Sequence, residues 1–387
     1  MARYTYRFYN ALSKEYIGEL EMHNVTFNRP VRGTGSLSGS VVVDPMNVDL
    51  VRSCLDFRLS MLVVYKDDVP YWAGFITKRN WKSKDSTLDV EVAKARSILN
   101  TAFLRPQFGY NELFQLTLLD TPYSWTQIEQ QRIVREIVTF AQNNEPGMPK
   151  ILLNNNDTSP IPRDYHTTGM AFKYAGEVMD SISSRSEGFD WDVEVREATV
   201  GEGVELYLAT WYPERSTGVN NLYLEFDPDG DGSILDFGDV EESAEQYAPR
   251  VYATGEGTPP SQPTAVDTDP EALLGYRILR ERMTNYSSVV EIATLASHAR
   301  AERAALGVPV DILNLRIKPE LLQTSFDSGD RARLKIRDLW LDMDLPRVRI
   351  VDTSIAPFDR GQGEAVGVAV DLSDLTLPEE EEQEVTA

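Results

Sequence analysis

In several segments of its first hundred residues the chain places large apolar side chains at every second position. A stretch patterned in this way can bury one face of a strand but not one stripe of a helix. Tyr4, Tyr6 and Phe8 alternate with Arg3, Thr5 and Arg7, and Leu20 and Met22 alternate with Glu19, Glu21 and His23. Gly33-Thr-Gly-Ser-Leu-Ser-Gly39 reads as a flexible connection into Val41-Val-Val43. Leu62-Val-Val-Tyr65, the polar turn Lys66-Asp-Asp68 and Trp72-Ala-Gly-Phe-Ile76 predict a hairpin. Leu88, Val90 and Val92, alternating with Asp89 and Glu91, close the unit. Several short strands without a helix between them predict an antiparallel barrel or sandwich.

Near Phe103 the texture changes. Ser124 and Gln127 form a capping-box pair, with Thr126 and Glu129 as a second register, ahead of Ile133, Val134, Ile137, Val138 and Ala141 at helical spacing. This predicts a helix over about 124–142, ended by Asn143-Asn-Glu-Pro-Gly147. A second helix is expected over 168–184, burying Ala171, Ala175, Val178, Met179 and Ile182, and it leads into strands 189–195 and 205–211. Thr254-Gly-Glu-Gly-Thr-Pro-Pro-Ser-Gln-Pro263 reads as a long loop or a domain seam. A third helix follows, with Ser288 and Glu291 as capping box, Val289, Ile292, Ala293, Ala296 and Ala299 as the buried stripe, and Gly307 and Pro309 as the stop. Leu334-Lys-Ile336, Val348-Arg-Ile350 and Val366-Gly-Val-Ala-Val370 return to β texture. Arg333–Ile336, Pro346–Ile350 and Val366–Val370 echo the order of Leu62–Tyr65, Trp72–Ile76 and Leu88–Val92, a weak sign of a duplicated β-domain.

At 387 residues the chain is long enough for two to four packed units. Its net charge is −23, unevenly spread: residues 1–100 carry a balance of +3 and the other 287 carry −26. A protein that grips DNA or RNA needs a basic surface, so that class is disfavoured. The end, Pro378-Glu-Glu-Glu-Glu-Gln-Glu384, repels itself and is expected to be unfolded beyond about Leu377, as a solubilising tail. No apolar run reaches the roughly 18 residues of a membrane span, and the start lacks the apolar stretch of a secretory signal. With Cys54 as the only cysteine, an internal disulfide and a cysteine-built metal site are excluded, and a reducing compartment is expected.

The catalytic inventory is thin. His23, His166 and His298 are far apart in sequence and fall in no known pattern, and His298 reads as a partly exposed surface residue. There is no G-x-S-x-G elbow, H-E-x-x-H helix, P-loop or dinucleotide glycine fingerprint. Cys54 reads as a small buried apolar residue. Asp227-Pro-Asp-Gly-Asp-Gly232 supplies the opening half of a calcium loop through Asp227, Asp229 and Asp231. The twelfth position, however, is Gly238 instead of a bidentate Glu, so a plain turn is the preferred reading and the ion question stays open. Tyr71-Trp72 and Trp211-Tyr212 are candidates for stacking on sugars, although such residues usually fill β interiors. No catalytic, cofactor-binding or metal-ligating residue is assigned, and no cofactor is expected.

Two phrases carry a resemblance. They are Val25-Thr-Phe-Asn-Arg-Pro-Val-Arg-Gly-Thr-Gly-Ser-Leu-Ser-Gly39 and Thr324-Ser-Phe-Asp-Ser-Gly-Asp-Arg-Ala-Arg-Leu-Lys-Ile336, together with the acidic Pro/Gly-containing middle and the helix before Gly307. In order and texture the chain resembles the hub protein of long-tailed bacteriophage tail tips, a minor tail protein or tail-associated hub. The resemblance implies an α+β, mainly β fold, with two related antiparallel β-barrel-like ring domains and smaller α/β inserts. Laid on this sequence it gives a first ring domain over 1–103, an α+β insert over 104–204 and the start of a second ring domain over 205–255. A loop and helix-containing insert over 256–312, the rest of the second ring domain over 313–377 and the tail over 378–387 complete it. It further implies a homotrimer whose six barrels mimic sixfold symmetry, joining the sixfold tail tube and distal tail protein to a threefold tip. The other implied partners are the tape measure protein, further tail-tip or receptor-binding minor tail proteins, and genomic DNA that passes through without specific binding. The implied place is the virion tail tip, assembled in the host cytoplasm, with no membrane insertion and no enzymatic activity. Many relatives continue into receptor-binding or peptidoglycan-cleaving extensions, so those activities are expected in other tip proteins. The competing readings are a cell-wall-degrading tail enzyme and a calcium-dependent carbohydrate-binding module.

Overall fold

The computed structural model describes residues 2–110, 116–143, 147–153, 159–185, 187–199, 203–219, 222–228, 230, 232–238, 240, 247–276, 278–287, 289–306, 312–318, 326–357 and 364–371. The acidic tail, Asp229, Asp231, Ser288, Gly307 and Pro309 lie outside these residues. Two compact units emerge: 1–215 with 353–366, and 216–352 with 367–387.

The first unit opens with β1 (Tyr4–Asn10), β2 (Tyr16–Glu19), β3 (His23–Asn28), β4 (Ser36–Val42), α1 (Val48–Cys54), β5 (Ser60–Lys66), β6 (Val69–Lys82) and β7 (Thr87–Lys94). These strands form one antiparallel ladder in the order β3-β4-β7-β6-β5-β1-β2. The period-two pattern explains its inner face, where Tyr6, Phe8, Phe27, Leu37, Leu62, Val64, Trp72 and Val90 pack together. Met61, Val63 and Tyr65 face the opposite way into a second core, so β5 is apolar on both faces and reads as an unbroken apolar run. The expected hairpin is present: Lys66 pairs with Val69 across Asp67 and Asp68, both left-handed (φ 50° and 63°), as a tight two-residue hairpin turn requires. Among the described residues no pairing joins β2 back to the far edge, so the ladder is open and does not close into a barrel.

Two local expectations are corrected here. Only Gly33–Gly35 is a connection, since Ser36–Gly39 already belongs to β4, whose apolar anchors are Leu37 and Val41. A short helix, α1, interrupts the expected run of strands and turns Val51 and Cys54 into the core.

The unit continues with β8 (Gln107–Tyr110), β9 (Leu116–Leu119), β10 (Pro122–Glu129), α2 (Gln130–Asn143), β11 (Ile151–Leu153), β12 (Pro162–Thr168), α3 (Ala175–Ser183), β13 (Asp190–Glu197) and β14 (Val204–Trp211). The helix expected over 124–142 begins only at Gln130, because Tyr123 and Trp125 alternate on a strand that pairs with β12. Gln127 adopts a left-handed φ of 53° in a register shift, and the Glu129 carboxylate, not Ser124, caps the helix by accepting from the backbone N–H of Gln131 and Arg132 at 2.8 and 2.7 Å. The expected stripe from Ile133 to Ala141 is buried. The second helix starts at Ala175 instead of 168, after a short 3₁₀ turn and a left-handed Phe172, and Ala171 is exposed. Strand β14 pairs antiparallel with β13 and parallel with β11, which makes this portion α+β.

The second unit comprises β15 (Leu222–Phe226), β16 (Ile234–Asp236), β17 (Arg250–Thr254), β18 (Thr264–Thr268), α4 (Pro270–Leu273), β19 (Glu281–Asn285), α5 (Ile292–Ala305), β20 (Ile312–Ile317), β21 (Arg331–Arg337), β22 (Asp342–Ala356) and β23 (Ala365–Asp371). β21 pairs antiparallel with β22 and parallel with β15, and β16, β20, β23 and β22 follow as neighbours. The division between units falls inside β22, whose Ser354 and Ile355 pair with Asn28 and Phe27. The stretch 254–263 is a hairpin loop between β17 and β18, closed by the Gly255 N–H donating to the Pro263 carbonyl at 2.8 Å. In α5 the buried positions are Leu295, His298 and Ala299, while Ile292 and Ala293 are exposed, so the expected stripe is rotated. His298 is buried and stacks on Tyr286 with ring centres 4.1 Å apart, which corrects its reading as a surface residue. Among the described residues no helix is long and apolar enough to cross a membrane.

Candidate functional site

The most concentrated chemistry of the first unit lies on β13. Asp190, Asp192 and Glu194 stand at alternate positions and therefore share one face, while Trp191, Val193 and Val195 take the other face into the apolar core. Both faces are buried. An acidic face is tolerated there only because cations converge on it. Lys94, at the end of β7, bonds Asp192 and lies 3.6 Å from Glu194; Arg215 lies 3.5 Å from Asp192 and 3.1 Å from Glu194; Arg29 lies 3.4 Å from Glu194. Arg32 reaches Asp190 at 3.6 Å, and the backbone N–H of Arg215 donates to Asp190 Oδ2 at 2.7 Å. The Arg29 and Arg215 guanidinium groups stack over Tyr71 and Trp211, 4.3 and 4.9 Å from the ring centres.

Electrostatics separate the two central acids. Burial works to raise the Glu194 carboxyl, but Lys94, Arg29 and Arg215 overcome it and hold Glu194 below the ordinary carboxylate range. Burial raises Asp192, against the pull of Lys94, and the charge of Glu194 adds to the rise. Beside them, Arg96 bonds Asp180, donates to the Trp191 carbonyl at 2.7 Å and lies 3.6 Å from the Trp191 ring centre. Arg29, Lys94 and Arg215 are buried with the three acids while Arg32 reaches Asp190 from an exposed position, and the chemistry of the cluster is charge compensation that pins β13 to the ends of β3 and β7.

The sequence reading missed this cluster because Asp-Trp-Asp-Val-Glu-Val looks like a strand with one wet face. The available signal was Lys94 at the end of β7, where the alternation of Leu88, Val90 and Val92 would place the next apolar side chain. In the second unit a comparable device holds the Asp327-Ser-Gly-Asp330 turn. The buried Asp330 carboxylate accepts from Thr217 N–H at 2.6 Å, Thr217 Oγ1 at 2.7 Å, Ser216 Oγ at 3.1 Å and Asp327 N–H at 2.9 Å.

The residues singled out from sequence are dispersed. His23 lies 3.8 Å from Glu21, and His166 Nδ1 meets Ser124 Oγ at 2.8 Å as an exposed cross-strand pair. No carboxylate orients the His166 ring among the described residues, so the Ser–His pair lacks the third group of an activated nucleophile. Cys54 is fully buried, and burial pushes its thiol up to about 12. Trp72 is fully buried with its Nε1–H donating to the Asn28 carbonyl at 3.1 Å, and Tyr71 lies under Arg29, so this pair fills the interior. In the loop after β15, Gly230 N–H donates to the Asp227 carbonyl at 2.9 Å. The Lys318 ammonium donates to the carbonyls of Gly230 and Gly232 at 2.9 and 3.3 Å, so a cation of the chain itself serves this loop. Among the described residues no group of three or more His, Cys, Asp or Glu is placed to hold a metal.

No protein-family model and no curated protein matches the sequence. Solved structures do match along nearly the whole chain. The tail protein from Neisseria meningitidis MC58 aligns at 12% identity with a TM-score of 0.58, over 96% of this chain and 97% of that one. The 43 kDa tail protein of prophage MuSo2 from Shewanella oneidensis aligns at 12% identity with a TM-score of 0.59, over 96% and 99%. Prophage tail protein gp18 from Listeria monocytogenes EGD-e aligns at 10% identity with a TM-score of 0.53, over 94% of each chain. At such identities the likeness is one of fold, and the chain has the mainly β fold of these tail proteins from end to end.

Proposed function

We propose that the chain is a structural component of a phage-type tail, the hub of its tip or baseplate, and not an enzyme. The sharing of fold with tail proteins over 94–96% of the chain carries this reading. In the finer form of the proposal, three copies form a pseudo-sixfold ring in which 1–103 and the later β segments supply the ring domains. The ring joins the sixfold tube and distal tail protein to a threefold tip, contacts the tape measure protein and other tip proteins, and frames the channel for DNA ejection. Assembly takes place in the host cytoplasm and the finished protein resides at the virion tail tip.

The net charge of −23 supports a passage role. A channel for a sliding polyanion works best when its wall repels that polyanion, and an acidic surface meets this requirement. Size-exclusion chromatography with light scattering, run beside a duplex-DNA mobility shift at low salt, tests the reading. A threefold species without DNA retention is expected. Tight DNA binding, or turnover of cell-wall substrate, overturns it.

A further inference from the structure

The hairpin of β21 and β22 ends in Asp338-Leu-Trp-Leu-Asp342, closed by the Asp338 N–H donating to the Leu341 carbonyl at 2.8 Å. Leu341 turns inward at 7% exposure, whereas Leu339 is fully exposed and Trp340 is 83% exposed. Two large apolar side chains at full exposure on one tight tip are costly in water, and tryptophan is the residue most enriched at the energetic centres of protein interfaces.

The first unit offers a cleft of matching character. It has a volume of about 500 Å³ and is walled by Ile98, Phe103, Leu118, Met148 and Phe172, with Arg105 as the charged side chain among the described residues of its lining. Phe103 and Phe172 meet edge to face with ring centres 6.1 Å apart, and Phe103 stacks on Tyr174 at 4.3 Å, so the aromatic wall is fixed while Phe103, Leu118 and Phe172 remain partly exposed. The volume lies in the range of pockets that enclose compact apolar groups, ample for an indole with a neighbouring isobutyl group. Charge is complementary as well: the tip is flanked by Asp338 and Asp342, and the cleft is edged by Arg105.

We propose that the Leu339–Trp340 tip of one copy seats in the Phe103/Phe172 cleft of a second copy. Two different surfaces meet in such a contact, so it is heterologous and, repeated with closure, builds a ring and not a twofold dimer. The proposal rests on the ring reading above and names one contact that would make the ring.

The test uses the full chain in three forms: wild type, a tip variant carrying Leu339→Ser and Trp340→Ser, and a cleft variant carrying Phe172→Arg. Circular dichroism of each checks folding, and both changes fall on exposed positions. Sedimentation over a concentration series is expected to show wild-type association weakened by about tenfold or more in either variant. Mixed together, the two variants are expected to form a one-to-one pair and nothing larger, because one intact tip and one intact cleft remain. Undiminished trimers of the tip variant would overturn this contact and leave the ring reading standing. Loss of association in both variants without rescue on mixing would show that the tip uses a different receptor and would also overturn it. A wild type that stays monomeric throughout the series would remove the contact and the self-assembled ring together.

Discussion

A lysine and two acids decide how β13 is held. Lys94, Asp192 and Glu194 are each under a tenth exposed, and none of them is tolerable there without the others. Glu194→Gln strips the cluster of one charge and leaves Lys94, Arg29 and Arg215 under-compensated. It is expected to lower unfolding stability by about 3–5 kcal/mol in urea titrations. The pH dependence follows from the depressed Glu194 carboxyl. Its contribution is fully present above the unfolded value of about 4.3 and is lost as pH falls through the lower folded value. Wild type is therefore expected to lose more stability between about pH 5 and pH 2 than Glu194→Gln does. Equal acid sensitivity of the two would show that the Glu194 ion pairs contribute nothing net. A second residue-scale case is Asp330, whose carboxylate accepts four bonds. Asp330→Ala is expected to cost about 1.5–3 kcal/mol in urea titrations, the worth of one hydrogen bond to a charged group, because the donors on exposed Ser216 and Thr217 can turn to water once the carboxylate is gone.

At the scale of elements, local pattern governed what could be read. β3 and β4 were legible because one face meets the core and the other meets water, β5 because its unbroken apolar run is buried on both faces, and the Asp67-Asp68 turn because its residues tolerate left-handed backbone. Helix starts were not. Ser124 and Gln127 satisfy the spacing of a capping box, yet the ladder to β12 claims Ser124, Gln127 sits in the register shift with its N–H donating to Asp164 Oδ1, and Glu129 caps α2 instead. α1 was missed because seven residues carry too short a period to stand out. The acidic face of β13 was invisible for a different reason: its burial depends on Lys94, Arg29 and Arg215, about 20 to 165 positions away, and only the fold brings them there. Gly74 illustrates a close approach that sequence leaves unmarked. A Cβ at this position would lie 2.3 Å from the Ala93 carbonyl oxygen and 2.6 Å from the Trp72 ring. Gly74→Ala is expected to cost about 1–3 kcal/mol by forcing β6 and β7 apart, measurable as a lower urea midpoint with an unchanged slope. An unshifted midpoint would show that the ladder yields without strain.

For the whole molecule, composition carried more of the functional reading than any motif did. The acidic excess begins after residue 100, where the chain leaves its near-neutral first strands. Among the described residues no group of three or more His, Cys, Asp or Glu is placed to hold a metal, and no carboxylate orients the Ser124–His166 pair. In the proposed reading, function at this scale resides in surfaces that meet other chains, and these have no signature that one sequence can display. Imaging of the purified chain, alone and bound to a distal tail protein, tests the central claim most directly. The expected result is a threefold annulus with an open, acid-lined passage; a compact particle without a central opening in both samples would contradict it.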